Sequence, residues 1–98
     1  MIVIRETVEF TAWIDNLRDG AAKGRIARRL ERLADGHFGD EKSVGDRVFE
    51  LRFYFGPGYR IYFTRLSDGA IVLLLAGGDK DSQHRDIALA KRLADQEL

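Results

Sequence analysis

Arg47 to Arg65 reads RVFELRFYFGPGYRIYFTR, two runs rich in aromatic and β-branched residues parted by Gly56-Pro57-Gly58. Such runs around a glycine-proline break predict a β-hairpin. Side chains alternate across a strand, so Phe49, Leu51, Phe53 and Phe55 share one face, and Val48, Glu50, Arg52 and Tyr54 the other. In the second run Tyr59, Ile61 and Phe63 oppose Arg60, Tyr62 and Thr64. Paired residues point to the same side of a sheet, so the two apolar sets meet only across a loop with an odd number of residues. The simplest is Gly56 to Gly58, which sets Phe55 opposite Tyr59, Tyr54 opposite Arg60 and Arg52 opposite Tyr62.

Outward from the hairpin, the patterns alternate between strand and helix. Asp68-Gly69 turns the chain into Ile71-Val72-Leu73-Leu74-Leu75-Ala76, an unbroken apolar run expected of a central strand covered on both sides. Gly77-Gly78 reads as a turn, and Ser82 as the cap of a last helix presenting Ile87, Ala90 and Leu93 or Ala94 and fraying over Asp95 to Leu98. Towards the N-terminus, Ile2 to Glu6 is a short strand. Thr7 then caps a helix with Phe10, Trp13, Ile14 and Leu17 on one stripe. Ala21 to Ala34 repeats Ile26, Leu30 and Leu33 at helical spacing and stops at Gly36, giving a helical hairpin. The expected order is β-α-α-β-β-β-α, an α+β fold.

At 98 residues the chain is too short for a catalytic and a separate binding domain, so one domain spanning 1–98 is expected. Its 45% hydrophobic content is enough to form a core, and the absence of cysteine removes disulfides and thiolate metal sites. The apolar run from Ala70 to Ala76 is too short to cross a bilayer, and the N-terminus has no signal-peptide pattern, so a cytoplasmic protein is expected. Formal net charge is zero, which argues against coating nucleic acid by bulk charge. The charge is nevertheless polarised, with Arg25, Arg28, Arg29 and Arg32 on the second helix and acids from Asp35 to Glu50.

With His37 and His84 as the only histidines, no nucleophile-histidine set or metal-binding spacing forms, and no cofactor motif is present. The informative patch is the polar face of the hairpin, where Arg52, Tyr54, Arg60 and Tyr62 interleave cations with rings. Guanidinium groups bind phosphate bidentately and tyrosines stack on unpaired bases, as in the recognition of single-stranded RNA. The same four residues would also form a plain cross-strand cation-π ladder. Lys80 follows the central strand just before a helix N-terminus, where a phosphate would also meet free backbone N–H groups.

The runs Phe49-Glu50-Leu51-Arg52, Gly56-Pro57-Gly58-Tyr59-Arg60-Ile61-Tyr62-Phe63, Leu73 to Gln83 and Asp86-Ile87-Ala88-Leu89-Ala90, with Trp13 and Leu17-Arg18-Asp19, resemble the RelE/ParE superfamily of type II toxin–antitoxin toxins. The closest likeness is to its addiction-module killer branch, which includes HigB-like and RelE-like toxins. The resemblance implies a RelE-like fold, with helices on one face of a small twisted antiparallel sheet and a basic cleft on the open face. It also implies a ribosome-dependent mRNA endonuclease that inhibits translation and works without a metal, the substrate 2′-OH attacking the adjacent phosphate while arginine and lysine stabilise the growing charge.

Carried over by position, Arg60 is the cleft arginine and Lys80 a second cation after the last strand, with Arg52 the strand arginine of this branch; these three are the expected catalytic residues, and Tyr54, Tyr62 and Gln83 the expected RNA contacts. The strand lysines and final-helix tyrosine of the best-known nucleases have no counterpart at Val48, Glu50 and Asp86, which leaves the general base open among Tyr62, Glu50 and Asp86. The resemblance further implies a cognate antitoxin, a helix-turn-helix DNA-binding protein through which alone operator DNA is contacted. The basic surface at Arg25, Arg28 and Arg29 is its expected docking site. The alternatives are a non-enzymatic, ParE-like inhibitor of DNA gyrase and an inactive regulatory partner of the antitoxin.

Overall fold

A computed structural model describes residues 1–97. The chain runs through β1 (Val3–Glu6), α1 (Val8–Asp15), α2 (Gly20–Ala34), β2 (Glu41–Gly45), β3 (Val48–Arg52), β4 (Arg60–Leu66), a single 3-10 turn, β5 (Ile71–Gly78) and α3 (Gln83–Gln96). The strands form one sheet in the order β1-β5-β4-β3-β2. This is the expected α+β class, with two differences in the sheet. β2, a polar edge strand that pairs antiparallel with β3, was not expected, and β1 pairs parallel with β5, so the sheet is mixed.

Local chemistry sets the helix ends. The Thr7 hydroxyl accepts from the Phe10 N–H at 3.0 Å and donates to the Leu75 carbonyl at 2.6 Å, capping α1 and fastening it to β5. Asp19 caps α2 through the Ala22 N–H. At its other end Gly36, at φ +90°, lets the His37 N–H return to the Arg32 carbonyl, a Schellman-type stop. Ser82 occupies the cap position of α3 but makes no side-chain cap bond, because its hydroxyl turns inward to the Asp86 carboxylate at 2.5 Å. Leu98, the last residue of the expected frayed end, lies outside the described residues.

Helices cover both faces of the sheet. Phe10, Ile26 and Leu33 of α1 and α2 pack on Leu51, Ile61, Phe63 and Leu74, all fully buried. On the other face Ala90 and Ala94 of α3 close onto Val48, Tyr62 and Leu75. The face expected to be open is therefore partly roofed by α3. Short alanine side chains let that helix approach closely, and Tyr62 goes under the roof.

Gly77 and Gly78 are strand residues of β5, not a turn. A Cβ on Gly77 would fall inside the Trp13 ring, and one on Gly78 would overlap the Asp86 carboxylate and the Ser82 hydroxyl. By contrast, Gly24 in the middle of α2 has nothing near its absent Cβ. Among the described residues, no helix is long and apolar enough to cross a membrane.

These two kinds of glycine should respond oppositely to alanine in urea unfolding. Gly77→Ala should lower stability by roughly 1–3 kcal/mol through overpacking. Gly24→Ala should raise it by about 0.5–1 kcal/mol, the helix-propensity difference. A Gly77→Ala protein as stable as the parent would mean that Trp13 does not sit against β5.

Candidate functional site

The hairpin register fixes the site. β3 and β4 pair Phe49 with Phe63, Glu50 with Tyr62, Leu51 with Ile61 and Arg52 with Arg60. The Phe53 N–H then donates to the Tyr59 carbonyl at 3.1 Å, so the loop is Tyr54 to Gly58. This is again an odd loop, longer than Gly56 to Gly58, and every side chain of the paired strands keeps its expected face. The partners change: Tyr54 leaves the sheet for the loop, and Arg52 faces Arg60 directly.

Two like charges opposite each other on one sheet face repel. Here Glu50, 1% exposed, lies between them. Its Oε1 accepts from Arg52 Nε at 2.9 Å and stands 3.8 Å from Arg60 Nε. Its Oε2 accepts from Gln83 Nε2 at 2.6 Å, across the gap to the first residue of α3. The hydrogen bond to Glu50 is the main cause that raises the Arg52 pKa above the ordinary arginine value.

Arg60 forms the floor of a cleft walled by Phe53, Tyr54, the Gly56-Pro57-Gly58 loop and Lys80. Its Nη1 donates to the Gly58 and Tyr59 carbonyls at 3.1 Å each. The residue is 9% exposed, and its buried Nε has no hydrogen-bond partner among the described residues. Gly56 and Gly58, at φ +56° and +76°, shape the loop so that Arg60 and Lys80 come within van der Waals reach of Gly58. Lys80 is exposed on the wall formed by the segment between β5 and α3.

Of the residues singled out in the sequence, Arg60 and Lys80 come together in this cleft, and Arg52 stands opposite Arg60 on the neighbouring strand, outside the cleft lining. Tyr54 stands at its rim, 75% exposed, its hydroxyl donating to the Asp40 carboxylate, a partner 14 positions away that no local pattern reveals. Tyr62 does not belong with them. It is fully buried, so it offers no ring to a base, and burial together with Glu50 and Asp86 pushes its phenol pKa well above the ordinary value. Gln83 is occupied by Glu50.

The cation-π contacts lie at other rings than the expected ladder. Arg25 stacks over Phe55 at 4.7 Å, Arg29 over Phe53 at 4.6 Å, and Arg65 sits among Phe38, Phe49 and Phe63. Arg29 also donates to the carbonyls of Arg52, Phe38 and Asp40, tying α2 to the ends of β2 and β3. Of the three arginines expected on the docking surface, Arg29 is thus a structural clip, whereas Arg25 and Arg28 are exposed.

No family model matches the chain. An uncharacterized protein of Haemophilus influenzae is 48% identical over 97 residues, which is 99% of this chain and 96% of that protein. Among solved structures, a mutant of the E. coli toxin RelE in the free state superposes with a TM-score of 0.73 at 12% identity, over 94% of this chain and 97% of that one. The intact E. coli RelBE toxin–antitoxin complex matches with a TM-score of 0.64 at 10% identity, over 81% of this chain and 96% of the matched one. The fold is that of RelE.

Tyr62 provides a direct test of the buried face. Tyr62→Phe removes a hydroxyl that has no hydrogen-bond partner among the described residues, so stability at neutral pH should hold or rise by up to about 1 kcal/mol. Because the folded pKa is raised, the stability from keeping the phenol neutral is complete below the ordinary tyrosine pKa of about 10 and is lost as pH climbs above it. Denaturation followed against pH should therefore show a shallower alkaline decline in Tyr62→Phe than in the parent. An equal decline would place the hydroxyl in water.

Proposed function

We propose that this chain, which belongs to one family with the Haemophilus influenzae protein, is the toxin of a toxin–antitoxin pair and an endoribonuclease that cuts mRNA on the ribosome. The observation that carries the reading is Arg60, a nearly buried guanidinium with an unpartnered Nε at the floor of a cleft that Lys80 overhangs. A buried cation left short of partners is a site prepared for an anion. The RelE fold supplies the context.

In the reaction, the 2′-oxygen of the substrate forms a bond to the neighbouring phosphorus while the bond from phosphorus to the 5′-oxygen breaks. The products are a 2′,3′-cyclic phosphate and a 5′-hydroxyl. Arg60 and Lys80 hold the non-bridging oxygens as charge builds on them, with Arg52 behind Arg60, so the charge is met without a metal. The exposed Tyr54 ring is the stacking surface at the rim. The attacking hydroxyl gives its proton to solvent, because the three inward-facing candidates are engaged or closed off: Glu50 is held by Arg52 and Gln83, Asp86 by Ser82, and Tyr62 is buried. The leaving oxygen takes a proton from solvent.

The antitoxin is the cognate partner, a helix-turn-helix protein through which the pair contacts its operator in the cytoplasm. It docks on the α2 surface at Arg25 and Arg28.

Arg60→Ala should keep a native circular dichroism spectrum and lose about 10²–10³-fold in the rate of mRNA cleavage on purified ribosomes, the loss typical of one oxyanion-stabilising donor. Lys80→Ala should follow more weakly. Undiminished cleavage and killing by folded Arg60→Ala would refute the nuclease site, and DNA supercoiling inhibited in the same samples would establish the gyrase alternative. For the partner, Arg28→Glu should slow antitoxin association and flatten its dependence on salt. Arg29→Ala should instead lower stability by roughly 1–3 kcal/mol, because it removes the hydrogen bonds that tie α2 to the ends of β2 and β3. An association rate unchanged in Arg28→Glu would remove α2 as the steering surface.

A further inference from the structure

Glu50 is the least expected residue of the site, an acid at 1% exposure beneath a cleft meant for anions. Its two oxygens face three elements. Oε1 takes the Nε hydrogen of Arg52 at 2.9 Å and lies 3.8 Å from Arg60 Nε, and Oε2 takes a hydrogen of Gln83 at 2.6 Å. Without it, the directly opposed Arg52 and Arg60 would push each other apart. Gln83 opens α3, and the segment just before it carries Lys80. One carboxylate therefore touches both cleft arginines and the helix that anchors the lysine.

We propose that Glu50 is the positioning residue of the cleft. It sets Arg52 and Arg60 side by side and, through Gln83, fixes the wall from which Lys80 reaches the same phosphate. It does not act on substrate itself, because a side chain closed to solvent with both oxygens hydrogen-bonded has no path to a 2′-hydroxyl. The inference rests on the reading of the cleft as an RNA-phosphate site.

A residue with this role should separate turnover from binding. In Glu50→Gln one negative charge leaves the cleft, so anion attraction persists or grows while the cations lose their alignment. Turnover on ribosome-bound mRNA should fall by about 10–100-fold, the range seen when partners that orient first-contact groups are lost. KM should stay level or drop. A 2′-deoxy oligonucleotide, which cannot be cleaved, should bind as well as before or better, with a steeper salt dependence. The arginine Nε–H signals in nitrogen-15 NMR report the geometry directly. In the parent, the Arg52 signal, identified from its loss in Arg52→Lys, should exchange slowly with water, and in Glu50→Gln it should shift and exchange quickly.

An Arg52 signal and a turnover both unmoved in Glu50→Gln would overturn the proposal. So would a fall in turnover that removes one limb of the pH profile and leaves the Arg52 signal in place, the mark of a proton-transfer group. If Glu50→Gln does not fold, Glu50→Asp replaces it. That variant keeps the charge but shortens the reach, and an unaltered Arg52 signal with full turnover there would equally sink the idea. Should the parent cleave no mRNA, the nuclease reading falls, and the Arg52 signal with oligonucleotide binding decides the positioning role alone.

Discussion

Consecutive residues of a strand point to opposite faces of its sheet, and at the end of β5 both are glycine. Gly77 leaves room for the Trp13 ring of α1 on one face, and Gly78 for Asp86 and Ser82 at the start of α3 on the other. Two layers of helix close on one strand at the same point. Much of the remaining architecture follows from this double approach. Trp13, packed on Phe10 of its own helix, brings α1 down onto Tyr59, and α3 starts low enough over β4 and β3 for Gln83 to meet Glu50. A side chain larger than hydrogen at either position would lift one layer and open the end of the sheet that bears the cleft.

That close seat also explains why the polar face is not an open platform. Once α3 lies on β4 and β5, the face divides into a dry part, holding Val48, Tyr62, Leu75 and Ala76, and a polar margin formed by Glu50, Arg52 and Arg60. A charge at such a margin is partly desolvated, which strengthens its pairing and makes an unpaired neighbour costly. The margin is accordingly organised as a network, with one acid serving two bases and an amide. Elsewhere the arginines do mechanical work. Arg25, Arg29 and Arg65 cover aromatic rings on the α1–α2 face, and Arg65 also pairs with both carboxylate oxygens of Glu41 at 2.9 Å each. A census of bases along the chain cannot separate those roles.

The sequence was legible wherever structure is decided locally. The Thr7 cap, the stop at Gly36 and the faces of β3 and β4 follow from neighbouring residues. The exact register was not, because loops of Gly56 to Gly58 and Tyr54 to Gly58 place the same strand residues on the same face and differ only in who stands opposite whom. β2 escaped because Glu41-Lys42-Ser43-Val44-Gly45 is a polar edge strand with little alternation to betray it. Tyr62 was misplaced for a non-local reason. Its burial depends on where α3 lands, and no pattern within β4 reports that. The Glu50–Gln83 bond, spanning 33 positions, is equally invisible to local reading.

The proposed nuclease reading and its rival differ in what each would require of the cleft. A protein that acts only by covering another surface gains most from exposed, adaptable side chains at its contact. Chemistry on a phosphate gains from charges held in place before the ligand arrives, even at some expense in stability. Arg60 matches the second requirement. Its Nη1 is pinned by the Gly58 and Tyr59 carbonyls, its buried Nε has no hydrogen-bond partner among the described residues, and the acid that offsets its charge stands at 3.8 Å, too far for a hydrogen bond. A guanidinium kept in that state is less stable than one fully paired or fully hydrated, and its charge is fixed in place before any anion enters the cleft. This is what supports the proposed reading of an anion that visits the cleft and changes there over that of a permanent protein contact.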